Sequence, residues 1–287
     1  MSEAHVAPRD VAAGDLDRTL TAIAEGLSAG RLVPYLGPGV FADAAVQPPM
    51  PVTPEQIAFE LHKRAPAPGR IRTNMWSVAQ FIEQRRHRKT LIAMMTEIFK
   101  TPTPPTPLHQ KLAALPLPLI VDVWYDGAMR NALAGRTDWL EIQGITRALE
   151  ISDVWYRTYD PSGAVAAADA AHAARTILYK PHGSVAPAQN YLVADSDYVE
   201  VVTEIDIQTP IPDCVKLIRE SRGFVFVGCR FNDQMLRTYA RQIIKRSRGP
   251  HYVLVENEPL TRNEEKFFDE IGASVVRADA QALAAQL

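Results

Sequence analysis

The sequence predicts an α/β fold in which a doubly wound parallel sheet carries a helical insertion. Two observations favour this fold. Short apolar runs such as GFVFVGC (223–229) and HYVLVE (251–256) alternate with helical patterns, and a glycine turn ends the first apolar run, RLVPYL (31–36). Continuously apolar strands are typical of a parallel sheet that helices cover on both faces.

The first part of the chain is predicted to be mainly helical. Apolar residues at spacings of three to five predict one amphipathic helix over 9–29, before the strand at 31–36. Further helices are expected over 55–64, 74–86 and 88–100, with proline-rich loops between them.

Strands and helices alternate in the second part of the chain. Strands are expected near 117–125, 137–145, 153–160, 174–184, 223–229, 251–256 and 273–279, and helices near 126–134, 209–221, 233–246 and 261–271. The alanine-rich stretch 164–174 is expected to be a loop or a short helix. We therefore predict a single domain over 1–287, with an N-terminal helix within 1–30, a helical insertion at 50–114 and a Rossmann-like remainder.

Composition excludes several classes of protein. The 31 Lys and Arg residues nearly balance the 33 Asp and Glu residues, which disfavours a nucleic-acid partner. The longest apolar stretch, 112–121, is far below the roughly 18 residues that suggest a membrane span, and the polar N-terminus has no signal-peptide core. Cys214 and Cys229 form no CxxC pair, so neither a disulfide framework nor a zinc module is expected. The expectation is a soluble, cytoplasmic protein.

The turn GPGVFA (37–42) matches the dinucleotide pattern G-x-G-x-x-G/A. Glycines allow backbone N–H groups and a helix N-terminus to approach a pyrophosphate, although a plain strand-to-helix turn gives the same pattern. A dehydrogenase also needs an acidic residue at the end of the next strand, about twenty residues later. Glu60 lies at that distance but in a predicted helix, so a dehydrogenase is disfavoured while phosphate binding stays open.

Five segments of the chain follow one another in an order typical of one known family. They are YLGPGVF (35–41), NMWSVAQFIEQRR with PLHQKLAALP (74–86 and 107–116), IVDVWYDGAMRNAL (120–133), LYKPHGSV with YLVADSDY (178–185 and 191–198), and FVFVGCRFNDQMLR (224–237). Together they resemble the sirtuin-like (silent-information-regulator-type) family, in its zinc-less bacterial branch. The resemblance spans roughly residues 31–279.

The resemblance implies a chemistry. The family cleaves the bond between nicotinamide and ribose in NAD, either to deacylate acyl-lysine or simply to consume NAD. Deacylating members usually carry a four-cysteine zinc module, which this sequence lacks. The resemblance therefore implies the NAD-consuming branch, with NAD as substrate or ligand and no metal. That branch often acts in antiphage defence, as homo-oligomers or with partner proteins.

His182 matches the family's catalytic histidine, and Lys180, Gly183 and Ser184 match around it. Imidazole suits proton abstraction because its pKa lies near neutrality, so it can accept a proton from a ribose hydroxyl or from an attacking water. The structural alternative is a histidine that caps a strand end through hydrogen bonds.

The resemblance also implies a set of ligand-binding residues. Pro38 lies between two of the matching glycines and removes one N–H donor. Alternative roles stay open for Cys229, as a buried apolar residue, and for Asp233, as a helix N-cap. The set is Gly37, Pro38, Gly39, Tyr125, Gly228, Cys229, Asp233, Asn257 near the adenosine ribose, and Asp279 near the adenine.

The second motif departs from the family. If Tyr125 and Asp126 match the family's tyrosine and aspartate, Trp124 stands where an asparagine is expected. That asparagine orients the ribose or the attacking water, whereas a tryptophan has one N–H donor and no acceptor. Asp126 and Asp122 are the candidates for orienting water or ribose in its place.

Two hypotheses remain from the sequence. In the first, the protein hydrolyses NAD to nicotinamide and ADP-ribose with His182 as the general base. In the second, it is a catalytically silent sensor of NAD or ADP-ribose, or a scaffold, with Trp124 filling the nicotinamide site. The retained histidine favours the enzyme, and the missing asparagine favours the silent module.

Overall fold

The computed structural model describes residues 9–42, 47–145, 154–167, 170–171, 173–204, 211–256 and 258–287. The strands are β1 (Arg9–Asp10), β2 (Leu32–Leu36), β3 (Leu119–Asp122), β4 (Trp139–Gly144), β5 (Tyr156–Tyr159), β6 (Thr176–Lys180), β7 (Gly183–Ser184), β8 (Asn190–Tyr191), β9 (Gly223–Val227), β10 (His251–Leu254) and β11 (Ala273–Val276). Nine of them form one sheet in the order β1-β11-β10-β9-β2-β3-β6-β4-β5, and β7 and β8 form a separate hairpin.

The helices lie between these strands. They are α1 (Leu16–Ser28), α2 (Pro54–Arg64), α3 (Met75–Phe99), α4 (Pro107–Ala114), α5 (Ala128–Leu133), α6 (Asp195–Glu204), α7 (Asp213–Arg219), α8 (Gln234–Ile244), α9 (Arg262–Glu270) and α10 (Ala280–Gln286). Among the helices that the structure describes, none is long and apolar enough to cross a bilayer.

The predicted α/β fold class is confirmed. Every pairing in the large sheet is parallel except that of β4 with the edge strand β5, which is antiparallel. The central strands β2, β3 and β9 are buried along their whole length, as their continuous apolar sequences predict. The carboxyl ends of these parallel strands therefore meet at one edge of the sheet.

The predicted N-terminal helix is wrong at its start. The spacing of apolar residues predicts a helix from residue 9, but α1 begins at Leu16. The preceding residues instead form β1, which pairs with β11, and the Val11 N–H donates to Val275 O at 2.9 Å. An unpaired sheet edge offers these residues backbone hydrogen bonds that local periodicity does not reveal. Helices α6 and α10 were not predicted.

The helices expected between β2 and β3 are present. Asn74 caps α3 by accepting a hydrogen bond from Ser77 N, and Thr53 caps α2 in the same way through Gln56 N. The α3 backbone is non-helical at His87, with φ 67°, which is where the sequence predicts a break between 74–86 and 88–100. The division into one domain with an insertion at 50–114 stays a prediction.

Two glycine turns pack against each other at the carboxyl ends of β2 and β9. Gly37 N donates to Val227 O at 2.9 Å, and Gly39 N donates to Gly228 O at 2.8 Å. A Cβ on Gly37 would lie 2.5 Å from Gly228 O, and a Cβ on Gly39 would lie 2.8 Å from Gly228 Cα. Gly228 itself has φ +66°, a conformation that favours glycine. All three positions therefore require glycine.

Gly228→Ala is expected to destabilise the protein strongly. The added Cβ would lie 2.2 Å from Val40 N and would occupy the left-handed backbone region. These two effects predict a loss of about 2 to 5 kcal/mol in the free energy of unfolding, measured by urea denaturation.

The control is Gly69→Ala. Nothing lies within 4 Å of a Cβ at Gly69, so the free energy of unfolding should change by less than about 1 kcal/mol. Equal losses in the two variants would contradict the close packing of the turns.

Candidate functional site

A cavity of about 410 Å³ opens at the carboxyl edge of the sheet. Ligands of open α/β sheets bind at this edge because the loops that follow parallel strands converge there. The wall combines the two glycine turns with side chains from the loops after β3, β6 and β10 and from α2, α3 and α6. Among its residues are Gly37, Pro38, Gly39, Trp76, Val123, Trp124, Tyr125, His182, Tyr198, Gly228, Cys229, Glu258 and Asp279.

His182 lies two residues beyond β6 and is almost fully buried at the cavity wall. Its Nδ1 lies 3.0 Å from Val123 O. Because a carbonyl oxygen only accepts, Nδ1 carries the ring proton and Nε2 presents a lone pair. Within the described chain, Nε2 has no hydrogen-bond partner. Burial lowers the pKa of His182 to about 4, below the near-neutral pKa expected from the sequence. The ring is therefore neutral at pH 7 and is a weaker base than a free imidazole.

Three tyrosines surround the His182 ring. Tyr239 and Tyr198 pack edge-on against it, with ring centroids 4.8 and 5.5 Å away, and Tyr125 lies at 6.5 Å. The Tyr125 hydroxyl donates to Leu192 O at 2.7 Å. These three rings fix the plane of the imidazole and exclude water from the faces and edges that they cover.

Trp124 is fixed by its own N–H donor. Its Nε1 donates to Pro51 O at 2.9 Å, which ties the loop after β3 to the loop before α2. The indole packs against Phe99 and Tyr125, with ring centroids 6.3 and 5.6 Å away. Since the single N–H is already bonded, Trp124 offers the cavity only an apolar surface.

A model of the SIR2-like domain family matches residues 118–276, more than half of the chain. The chain belongs to the SIR2-like family. The matched region contains Trp124, His182 and Gly228, whereas the first glycine turn lies outside it. No curated protein matches the sequence.

Behind the wall of this SIR2-like cleft, Asp122 and Lys180 form a buried ion pair. Lys180 Nζ lies 2.7 Å from Asp122 Oδ2, and Asp122 Oδ1 accepts from Trp124 N at 3.1 Å. Burial alone would lower the pKa of Lys180, but the neighbouring carboxylates, Asp122 foremost, outweigh burial and raise it. The pair joins β3 to β6 two residues before Trp124 and His182.

Asp126 is held in the backbone at the start of α5. Its Oδ1 accepts from Ala128 N at 2.7 Å. Burial, followed by the charge of Asp122, raises the pKa of Asp126 to about 6. In the described part of the chain neither Asp126 nor Asp122 lines the cavity, so their contribution to orienting water or ribose stays a prediction.

The first glycine turn reaches the cavity differently from the expectation. The N–H groups of Gly37 and Gly39 donate to carbonyls of β9 and its turn rather than to the cavity. The segment after them, Pro38–Phe41, is a short 3₁₀ helix instead of an α-helix, so it supplies a smaller dipole than the motif suggested. Gly37, Pro38 and Gly39 line the cavity, and their binding role stays a prediction.

The structure places the remaining predicted ligand-binding residues in different surroundings. Cys229 lines the cavity as a neutral thiol, because burial raises its pKa. Asp279 also lines it and caps α10 by accepting from Ala282 N at 2.6 Å. Asp233 caps α8 through Met235 N at 2.7 Å and lies off the described wall. Asn257 lies outside the described residues.

Sequence reasoning missed several residues of the cavity wall. The sequence indicates only that Trp76 lies in a predicted helix, and no motif marks Arg230. Arg230 lines the cavity and pairs with Glu258 and with Glu264, whose Oε1 lies 2.8 Å from Arg230 Nε. No local pattern marks these residues, because only the tertiary fold brings α3 and the loop after β9 together. Among the described residues, no cluster of three or more His, Cys, Asp or Glu could hold a metal ion.

Lys180→Met is expected to destabilise the protein by about 3 to 5 kcal/mol, because it leaves Asp122 charged and unpaired in the interior. The double variant Asp122→Asn, Lys180→Met removes both charges, so its free energy of unfolding should fall by clearly less than that of the single variant. Urea denaturation of both variants measures the free energy of unfolding.

The matched control is Lys216→Met. Lys216 pairs with Asp213 at the surface, so its removal should change the free energy of unfolding by less than about 1 kcal/mol. If the single and double variants lose the same free energy of unfolding, the unpaired charge of Asp122 does not explain the loss in Lys180→Met.

Proposed function

We propose that this cleft binds NAD and hydrolyses it to nicotinamide and ADP-ribose. The observation that carries the proposal is His182 Nε2, a buried acceptor without a partner among the described residues, on the wall of a ligand-sized cavity. A buried polar atom that is left unbonded is costly in a folded protein. Its retention is accounted for if a ligand or an attacking water donates to it.

The cleft suits a dinucleotide. Its volume of about 410 Å³ lies within the range of small-molecule sites, roughly 300 to 1,000 Å³. Gly37, Gly39 and Gly228 line the cavity without side chains, and the aromatic residues Trp76, Trp124, Tyr125 and Tyr198 line it together with His182. Electron-rich faces such as that of Trp124 favour a cationic ring, and the nicotinamide ring of NAD carries a positive charge.

The proposed reaction is a displacement at the ribose carbon that holds nicotinamide. A water oxygen forms the new bond to C1′, while the C1′–N bond breaks and its electron pair stays on the nicotinamide nitrogen. The leaving nicotinamide thereby becomes neutral. His182 Nε2 accepts the proton that the water loses and later releases it to solvent. The products are nicotinamide, ADP-ribose and one proton.

A second function is favoured by Trp124. Its N–H is used by Pro51 O, and its ring lies on the cavity wall, so it gives the ligand no hydrogen bond. In this alternative the cleft binds NAD or ADP-ribose without turnover and acts as a sensor or scaffold. Antiphage defence, self-association and a partner protein, implied by the resemblance, belong with either function as further proposals.

His182→Ala tests the two functions. Purified protein is incubated with NAD and nicotinamide release is followed by chromatography, while calorimetry measures ADP-ribose binding. For the enzyme we expect the variant to release nicotinamide about 100- to 10,000-fold more slowly and still to bind ADP-ribose.

His62→Ala is the control variant, since His62 lies on α2 outside the cavity wall, and it should match the wild-type rate. Wild-type protein that binds ADP-ribose but releases no nicotinamide is the silent module. Wild-type protein that binds neither NAD nor ADP-ribose contradicts both functions.

The pH profile gives a separate prediction. Only the neutral imidazole accepts a proton, and the pKa of His182 in the folded protein is about 4. Activity is therefore present above this pKa and lost as the pH falls through it. We expect kcat/KM for NAD to stay flat from about pH 8 to 5, whereas an unperturbed histidine would lose half its activity near pH 6.5. Tryptophan fluorescence checks that the protein stays folded, and a midpoint near 6.5 contradicts the assignment.

A further inference from the structure

Two buried polar atoms on the cavity wall lack hydrogen-bond partners in the described chain. One is His182 Nε2 and the other is the indole Nε1 of Trp76, the second residue of α3. Trp76 is 4% exposed and His182 is 3% exposed. One atom is a donor and the other is an acceptor, and both residues line the same cavity.

Both rings contact the same tyrosine. Tyr198 packs edge-on against Trp76, with ring centroids 6.1 Å apart, and against His182 at 5.5 Å. Burial raises the pKa of Tyr198, and hydrogen bonding between its hydroxyl and the Trp76 indole offsets part of that rise. This contact does not meet the distance and angle of a full hydrogen bond, so the Trp76 N–H is still without a partner among the described residues. Trp76 and His182 thus both contact Tyr198, and all three side chains line the cavity.

The neighbouring donors are already used. The hydroxyls of Tyr125 and Tyr198 both donate to Leu192 O, at 2.7 and 3.3 Å. Trp124 donates its indole N–H to Pro51 O. Among these four aromatic side chains, Trp76 is the one whose donor is left for a ligand.

The position of Trp76 is fixed by contacts between α3 and α6. Ser77 Oγ donates to Asp195 Oδ2 at 3.2 Å, and Ser196 N donates to Gln80 Oε1 at 2.8 Å. Because α6 also carries Tyr198, these bonds set the start of α3 relative to the ring on which His182 packs. These bonds fix the start of α3, and burial of the ring restricts the movement of the indole.

One kind of chemical group can pair with a donor and an acceptor together. An oxygen that bears a proton can accept from the Trp76 N–H through a lone pair and donate its proton to His182 Nε2. Water and a sugar hydroxyl are such groups, whereas a carbonyl or a phosphate oxygen without a proton satisfies only Trp76.

We propose that Trp76 donates its indole N–H to the oxygen whose proton His182 accepts, which is either the attacking water or a ribose hydroxyl of the ligand. This inference rests on the proposed NAD hydrolysis. Trp76 orients the oxygen, and His182 removes its proton. The orienting donor thus comes from α3 and not from the residue at position 124.

Trp76→Phe tests the proposal because it removes the N–H and keeps an aromatic ring. We expect kcat for nicotinamide release to fall about 100-fold. If the oxygen is that of water, the KM for NAD should change little, since the lost bond does not hold the substrate. If it is a ribose hydroxyl, KM should rise as well.

Trp139→Phe is the matched control. The Trp139 indole donates to Arg136 O at 3.1 Å, outside the cavity wall, so this variant should keep the wild-type kcat and KM. A Trp76→Phe variant that also keeps them, while the wild type is active, overturns the Trp76 proposal and leaves the proposed function intact.

A substrate analogue separates the two oxygens. Two analogues of NAD are compared, one that lacks the 2′-hydroxyl and one that lacks the 3′-hydroxyl on the nicotinamide ribose. The ratio of wild-type to Trp76→Phe rates stays near 100 with both if the oxygen is water. The ratio falls to about 1 with the analogue that lacks the hydroxyl in question if the oxygen is that hydroxyl. Either result supports the donor role of Trp76 and identifies its acceptor.

A binding readout is independent of turnover. In protein labelled with ¹⁵N at its four tryptophans, the indole signal that Trp76→Phe removes should move downfield on addition of ADP-ribose, while the Trp139 signal stays. Binding without this shift overturns the proposal. Wild-type protein that shows neither ADP-ribose binding nor nicotinamide release instead contradicts the proposed function, and the inference falls with it.

Discussion

The close contact between the two glycine turns is the constraint on which the rest of the site depends. Strands β2 and β9 are neighbours in the centre of the sheet, with Leu36 opposite Val227. The chain that leaves one strand must therefore pass the chain that leaves the other. Hydrogen bonds and the missing Cβ atoms of Gly37, Gly39 and Gly228 let the two backbones touch. The same three glycines line the cavity.

Polar groups around the cavity fall into two kinds. Asp122 and Lys180 are charged, buried and fully paired with each other, so they hold the ends of β3 and β6 without facing a ligand. His182 Nε2 and Trp76 Nε1 are neutral, buried and unpaired within the described residues. An unpaired neutral group costs far less to bury than an unpaired charge, which is why the protein can retain it for a ligand.

The sequence predicted the sheet well because its central strands are continuously apolar. The break in α3 at His87 and the helix after Gly228 also agree with the predicted boundaries. The start of α1 was wrong because the pairing of β1 with β11 is a contact between residues more than 260 positions apart. In the site, His182 and the glycine turns line one cavity because all of them follow parallel strands, whereas the contribution of Trp76 depends on how α3 packs against α6.

The sequence by itself determined the α/β class and the positions of the central strands along the chain, and it pointed to the SIR2-like family, because these properties reside in local periodicity and in short motifs. Only the tertiary structure decided which polar atoms find partners. It showed that the Trp124 N–H is taken by Pro51 O, that the Gly37 and Gly39 N–H groups are taken by the neighbouring turn, and that His182 Nε2 is left unbonded among the described residues. The reason is physical: a hydrogen bond depends on distance and angle between atoms far apart in the chain, and no spacing within one segment encodes them.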